Sequence, residues 1–127
     1  MIESYFEHFE KTIQDFPCIR SYILSKKVYN AKQGFIKGVL QFEDDTQLEF
    51  LEVKDMDVIE KIKYRYQYMQ KDHAMIFRYD NAPHHSHLQT FPHHKHVDEA
   101  QVKESREATL DKVLLEVAQR IRLQEQK

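Results

Sequence analysis

Apolar residues recur along this chain first at helical spacing and then in alternation with polar ones. Ile2, Tyr5, Phe6, Phe9 and Ile13 follow the helical period, which predicts an amphipathic helix over residues 2–15, ended by Phe16-Pro17. Ile19 to Asn30 is rich in aliphatic and tyrosine residues and reads as a strand, followed by a turn at Asn30-Ala31-Lys32-Gln33-Gly34. Phe35 to Phe42 and Gln47 to Lys54 read as two further strands joined by the hairpin loop Glu43-Asp44-Asp45-Thr46. Asp55 to Glu60 is polar and reads as loop or a short helical turn. The clearest alternation follows: Ile62, Tyr64, Tyr66 and Tyr68 share one face, and Lys61, Lys63, Arg65 and Gln67 the other. Gln70-Lys71-Asp72-His73 turns the chain into a fifth strand, Ala74 to Tyr79.

Matching the aromatic faces of the last two strands pairs Tyr64, Tyr66 and Tyr68 with Tyr79, Phe77 and Met75. Arg78 then falls on the side of Lys63 and Arg65. Like charges facing one another are unfavourable, so Arg65 and Arg78 are read as presented to an anion, and Lys61 as solvated. Near the C-terminus, Asp98 reads as an N-cap with Gln101 as its capping-box partner and Val97 and Val102 as a hydrophobic staple. Leu110, Val113, Leu114, Val117 and Ile121 form the apolar stripe of a long final helix, and the polar end Gln124–Lys127 reads as frayed. The fold class expected is α+β: one domain over residues 1–127, an antiparallel five-stranded meander with an N-terminal helix and a long C-terminal helix packed on one face. The basic and histidine groups would occupy the other face.

Composition narrows the function. The chain has 127 residues, 41% of them hydrophobic, and a net charge of -2, so no global basic field exists and any nucleic-acid contact must come from a local patch. The single cysteine, Cys18, excludes an internal disulfide framework and reads as a buried bystander in a reducing compartment. No run is long and apolar enough to span a membrane, and the acidic, amphipathic start is unlike a signal peptide. A cytoplasmic protein without a membrane partner is expected.

Six of the eight histidines fall between His84 and His96. Packing does not require that density, since each ring carries two nitrogens needing partners. Such clusters move protons, hold metals or bind phosphate. Pro83 and Pro92 bracket the run and stiffen it. His96 would sit ahead of a helix N-terminus, whose dipole lowers a histidine pKa.

Zinc could use three histidines plus water, with Asp80 supplying an oxygen, but neither His84/His85/His87 nor His93/His94/His96 matches a known zinc spacing. Neighbours such as His84 and His85 point apart on extended backbone. Metal-free cleavage of RNA needs a base, an acid and cations around phosphorus. On this reading two of His84, His85, His93, His94 and His96 are acid and base, and Asp80 orients one of them. Arg78, Lys95 and Arg65 hold the phosphate, and Tyr64, Tyr66 or Tyr79 stack or orient the substrate. Asn81 joins the substrate contacts as a loop hydrogen-bonder. No cofactor is expected. Glu52-Val53-Lys54, with Asp44 or Asp45 upstream, is similar to part of a magnesium-nuclease site, but reads as a solvated strand end.

Three segments together, Lys63-Tyr64-Arg65-Tyr66-Gln67-Tyr68, Phe77-Arg78-Tyr79-Asp80-Asn81-Ala82-Pro83-His84-His85 and Thr90-Phe91-Pro92-His93-His94-Lys95-His96, resemble the TumE-type toxin family. The resemblance covers roughly residues 35–120, with its signature in 63–96, and the Gly34-to-Lys54 hairpin fits it, including Glu52. The chain departs from the pattern at Ser86-His87, where a proline and an acid are expected, so no role is carried over to His87. The resemblance implies a growth-inhibiting toxin neutralised by a DNA-binding antitoxin encoded beside it. Endoribonuclease activity is inferred from the residues and by analogy with other small toxins. A metal-dependent nuclease, a non-enzymatic nucleic-acid-binding inhibitor and a purely structural histidine network stand as its rivals.

Overall fold

A computed structural model describes residues 1–98 and 100–125. Helix α1 (Ile2–Asp15) buries Ile2, Phe6, Phe9 and Ile13 on one stripe and ends where Phe16 turns extended ahead of Pro17. The strands are β1 (Ile19–Val28), β2 (Gln33–Phe42), β3 (Gln47–Asp55), β4 (Lys63–Met69), β5 (Met75–Asp80), β6 (His94–Val97) and β7 (Gln101–Glu104); helix α2 (Leu110–Glu125) follows. The strands pair in sequence order, each antiparallel to the next. The architecture is therefore the expected α+β meander with a helix at each end, but the sheet has seven strands rather than five.

The two extra strands replace the predicted helix start. Val97 and Val102 belong to a short hairpin in which His94 faces Glu104 and Val97 faces Gln101. Asp98 caps no helix: it turns the chain at φ 48°, and its carboxylate accepts the Ala100 amide at 2.8 Å. Aspartate serves tight turns for the same reason that it caps helices, because its short side chain bonds nearby backbone amides. Glu99, within that predicted helix start, lies outside the described residues, as do Gln126 and Lys127 of the end read as frayed.

The period-two alternation holds on β4 and β5. Tyr64, Tyr66, Tyr68 and Phe77 join Ile36, Leu40, Phe42, Leu48 and Phe50 beneath α1 and α2. Burial of one such large side chain contributes about 1.5–3 kcal/mol. Phe50 is stacked between Phe9 and Tyr66, with ring centroids at 5.8 and 5.9 Å. The β4–β5 register differs from the expected one by two residues. Tyr66 faces Tyr79 and Tyr68 faces Phe77, with an irregularity at Tyr68/Met69. Arg65 consequently faces Asp80, and Arg78 faces Gln67, so like charges are not opposed across this pair. Ile62 precedes β4 and is half exposed. Lys61, expected in water, is buried with its ammonium on the Ala108 carbonyl. No helix among the described residues is long and apolar enough to cross a membrane.

Gly34 marks a close approach of β2 to β1. A Cβ there would lie 2.5 Å from the Lys27 carbonyl oxygen and 3.2 Å from the Phe6 ring. The nearer neighbour is backbone held in the sheet and cannot swing aside. Gly34→Ala is expected to lower the unfolding free energy by about 1–3 kcal/mol, read from urea titration; a loss under about 0.5 kcal/mol would show that β1 moves freely at this point.

Candidate active site

Alternation on β5 sends Phe77 and Tyr79 toward the helices and Arg78 and Asp80 to the opposite, open face. On β6 it sends Lys95 and Val97 toward the helices and His94 and His96 to the open face. The register sets His94 directly opposite Asp80, and His96 opposite Arg78. The connection from β5 to β6 then folds back in successive turns: the Leu88 amide donates to His85 O at 3.1 Å, and the His93 amide to Thr90 O at 2.8 Å. The Ser105 amide donates to Thr90 Oγ1 at 3.1 Å, and the Gln89 amide to Glu104 Oε1 at 3.3 Å, which ties this loop to β7 and the residues just after it. The loop sets the His85 ring 5.1 Å from that of His94 and 5.7 Å from that of His96, centroid to centroid. His85 itself has φ 61°, in the left-handed region.

Asp80 is buried at the centre. Its carboxylate accepts from the Ala82 amide at 3.0 Å and from Arg78 Nε at 3.0 Å, and His94 Nε2 lies 2.8 Å from it. His94, also buried, directs Nδ1 at the Pro92 carbonyl, 2.9 Å away. The Pro92 carbonyl can only accept, so Nδ1 is the donor there and Nε2 is the ring nitrogen that faces Asp80. His96 differs. Its Nε2 accepts from Arg78 Nη2 at 3.2 Å and so presents a lone pair. Burial, and then the Arg78 charge, holds the His96 pKa below the ordinary histidine value. The helix-dipole cause expected from the sequence does not apply, because His96 lies within β6. Partial burial, followed by the neighbouring His94, His87 and His84 imidazoles, lowers the His85 pKa as well. One ring atom from each of His85, His94 and His96 falls within 4.8 Å of the others, so these three could hold a metal ion.

The remaining candidate residues lie apart from this cluster. His93 stacks on Tyr64 at 5.7 Å and meets its hydroxyl at 3.0 Å. His84 is exposed, with its ring 6.5 Å from that of His85. Tyr79 donates to Glu116 of α2 at 2.5 Å, and Lys95 Nζ reaches the same carboxylate at 2.7 Å, both on the helix side. Tyr66 is in the core, with its hydroxyl on Glu52. Asn81 clips β4 in place: its Oδ1 accepts the Tyr64 amide at 2.9 Å, and its Nδ2 donates to the Lys61 and Ile62 carbonyls. Arg65 shares the open face with Asp80 and has no ion pair among the described residues. It also lines a shallow concavity of about 490 Å³ with Ile23, Lys37, Val39 and Leu51.

The family model for toxin TumE matches residues 9–122. The chain belongs to the TumE toxin family. The match runs from within α1 to within α2 and takes in all seven strands, a longer stretch than the sequence signature alone. Membership implies an antitoxin partner. No curated protein and no solved structure matches the chain.

The toxin buries a second polar group on the helix side, where the sequence predicts a solvated strand end. Glu52 is fully buried; it accepts from Tyr5 Oη at 2.6 Å and from Tyr66 Oη, with Lys61 Nζ 3.6 Å away. It borders a cavity of about 260 Å³ that Phe9, Lys54 and Leu110 also line. Lys54 is spent on the Val58 and Ile59 carbonyls at 2.5 and 2.9 Å. Asp44 and Asp45 sit at the far end of β3, bonded to Thr46 and Arg20 respectively, so they do not join Glu52 in a magnesium site. Burial pushes the Glu52 pKa up to about 7, against the pull of Lys61. The folded toxin thus holds this proton in a pH range where the unfolded chain has lost it, and folding stability falls as pH rises from the ordinary glutamate range to about 7. Urea titration at pH 5 and pH 7.5 should show wild type losing about 2 kcal/mol more than Glu52→Gln over that interval. Parallel losses in the two proteins would refute the assignment.

Proposed function

We propose that this toxin is an endoribonuclease that cleaves the RNA backbone without a metal, with its chemistry on the open face at Arg78, His85 and His96. One observation carries this reading: an imidazole with an available lone pair, His96, accepts from a guanidinium, Arg78, at 3.2 Å, with a second half-buried imidazole beside both. His96 Nε2 takes the proton of the ribose 2′-hydroxyl, and the freed oxygen attacks phosphorus. Arg78 releases His96 and neutralises the phosphoryl oxygens as charge builds there. His85 gives a proton to the departing 5′-oxygen, leaving a 2′,3′-cyclic phosphate and a 5′-hydroxyl. The incoming phosphodiester anion favours a protonated imidazole, which lets His85 serve as the acid although its pKa is lowered in the free protein. His94 takes no part in proton transfer. Bonded at both nitrogens, it positions Asp80 and, through it, Arg78.

The substrate track runs from Arg78 to Arg65 and along the concavity that Arg65 lines, where Ile23, Val39 and Leu51 provide an apolar floor for a base. Tyr64, Tyr66 and Tyr79 act from behind the sheet, as supports rather than stacking platforms. The partner is a DNA-binding antitoxin, and the compartment is the cytoplasm, where RNA is available.

Antitoxin-free toxin is expected to cut RNA in excess chelator and to leave cyclic-phosphate ends, identified by end mapping. His96→Gln should lower the rate by about 100-fold or more while RNA affinity changes little. The alkaline-going limb of the rate profile should lie below the ordinary histidine value of about 6.5, and Arg78→Gln should move it upward, because the neighbouring cation no longer opposes protonation. Undiminished toxicity of His96→Gln, with RNA left intact, would replace catalysis with simple occlusion of the target.

A further inference from the structure

We propose that His85, His94 and His96 form a zinc site beside Asp80, and that zinc there shuts the toxin off. The inhibitory effect rests on the cleavage reading above; the binding itself does not. His94 and His96 are two apart on one strand, so both imidazoles leave the same face of the sheet, with ring centroids 4.9 Å apart. His85 closes the third side from the loop, and one nitrogen from each ring lies within 4.8 Å of the other two. Tetrahedral zinc at its usual bond length of about 2.0–2.1 Å needs these nitrogens about 3.3 Å apart, so the rings must draw in by up to about 1.5 Å. Two of them are fixed by β6, and His85, carried by a loop, supplies the adjustment.

The surroundings fit a metal in two further respects. The Pro92 carbonyl takes the Nδ1–H of His94, which leaves Nε2 facing inward, as is usual for a metal-bound histidine. The Asp80 carboxylate lies 2.8 Å from His94 Nε2 and 3.7 Å from His96 Nε2, near enough to offset the charge of an ion or to fill its fourth position. Arg78 opposes the ion: Nη2 must leave His96 Nε2, while Nε keeps its 3.0 Å bond to Asp80. The Arg78 side chain is about one-third exposed and has solvent to swing into. Three imidazole nitrogens select a borderline ion such as zinc over magnesium, which prefers oxygen. The two halves of the histidine run contribute unequally, one ring from the first and two from the second. Zinc on His96 occupies the lone pair that would otherwise take the 2′-hydroxyl proton.

The test uses the full chain without a polyhistidine tag, stripped by chelator, desalted and titrated calorimetrically with zinc chloride. One zinc per chain should bind with a dissociation constant of about 10 µM or tighter and raise Tm, while magnesium gives no heat. His94→Gln can unfold the chain, so the deciding variant is His85→Gln on the loop, which should weaken binding by about tenfold or more. Equimolar zinc should also stop RNA cleavage, and chelator should restore it. Absence of binding, or binding that His85→Gln leaves unchanged, overturns the site and does not touch metal-free cleavage. Tight binding of zinc that RNA cleavage requires overturns the inhibition and, with it, the metal-free mechanism.

Discussion

The carboxylate of Asp80 accepts hydrogen bonds from the Ala82 backbone and the Arg78 guanidinium, with the His94 imidazole 2.8 Å away, while almost withdrawn from water. Those three partners come from the start of the histidine loop, from β5 and from β6. One side chain therefore sets where the loop departs, how Arg78 lies along the sheet and which way the buried imidazole turns. A buried carboxylate costs several kcal/mol to desolvate and is tolerated only when its acceptors are filled. The converse also holds, since Arg78 and His94 each depend on it. Breaking such a pair from one side costs about 3–5 kcal/mol, because the other side is left charged and unpaired. The polar groups of the open face are held by this mutual dependence rather than by apolar packing.

The same strands work on both faces of the sheet. Residues of one parity on β5 and β6 form the imidazole and guanidinium cluster; those of the other parity, Tyr79 and Lys95, converge on Glu116 of α2. The Lys95 ammonium also lies over the Phe77 and Tyr79 rings, at 5.0 and 4.9 Å from their centroids. The helix thus clamps from behind the strands whose front carries the candidate site. Sites held on strands keep their geometry better than sites held on loops.

Much of this was legible in the sequence wherever a pattern of period two was long and unbroken. The alternation of Tyr64 to Tyr68 against Arg65 fixed the parity of β4, and Arg78 fell on the correct face even though the register was two residues out. The slip lay in the irregularity at Tyr68/Met69, which a side-chain pattern does not encode. The β6–β7 hairpin was hidden because its strands have four residues each and its turn begins with aspartate, whose chemistry suits a cap equally well. The histidine run could be seen, but its sorting could not. Within a stretch of successive turns, direction depends on backbone geometry, so His93 goes to Tyr64 while its neighbour His94 goes to Asp80. Glu52 and Lys61 were misread as solvated because burial of a charged residue depends on partners far along the chain. Tyr5 is 47 residues from Glu52, and Lys61 is as far from Ala108.

Four members of the open-face cluster, Arg78, Asp80, His94 and His96, stand on paired strands whose register is fixed by backbone hydrogen bonds. Only His85 arrives on a loop, with its backbone in a left-handed conformation that few side chains adopt. The cluster thus has a rigid half and an adjustable half. In the rigid half, Arg78 lies against Asp80 and His94 Nε2 faces the same carboxylate. The proposed phosphate and the proposed metal would both draw on the one loop-borne imidazole, whose ring lies 5.1 Å from that of His94 and 5.7 Å from that of His96. That loop is itself tied to the end of β7 by the bonds from Gln89 to Glu104 and from Ser105 to Thr90, so the side chain rather than the whole loop has to supply the movement.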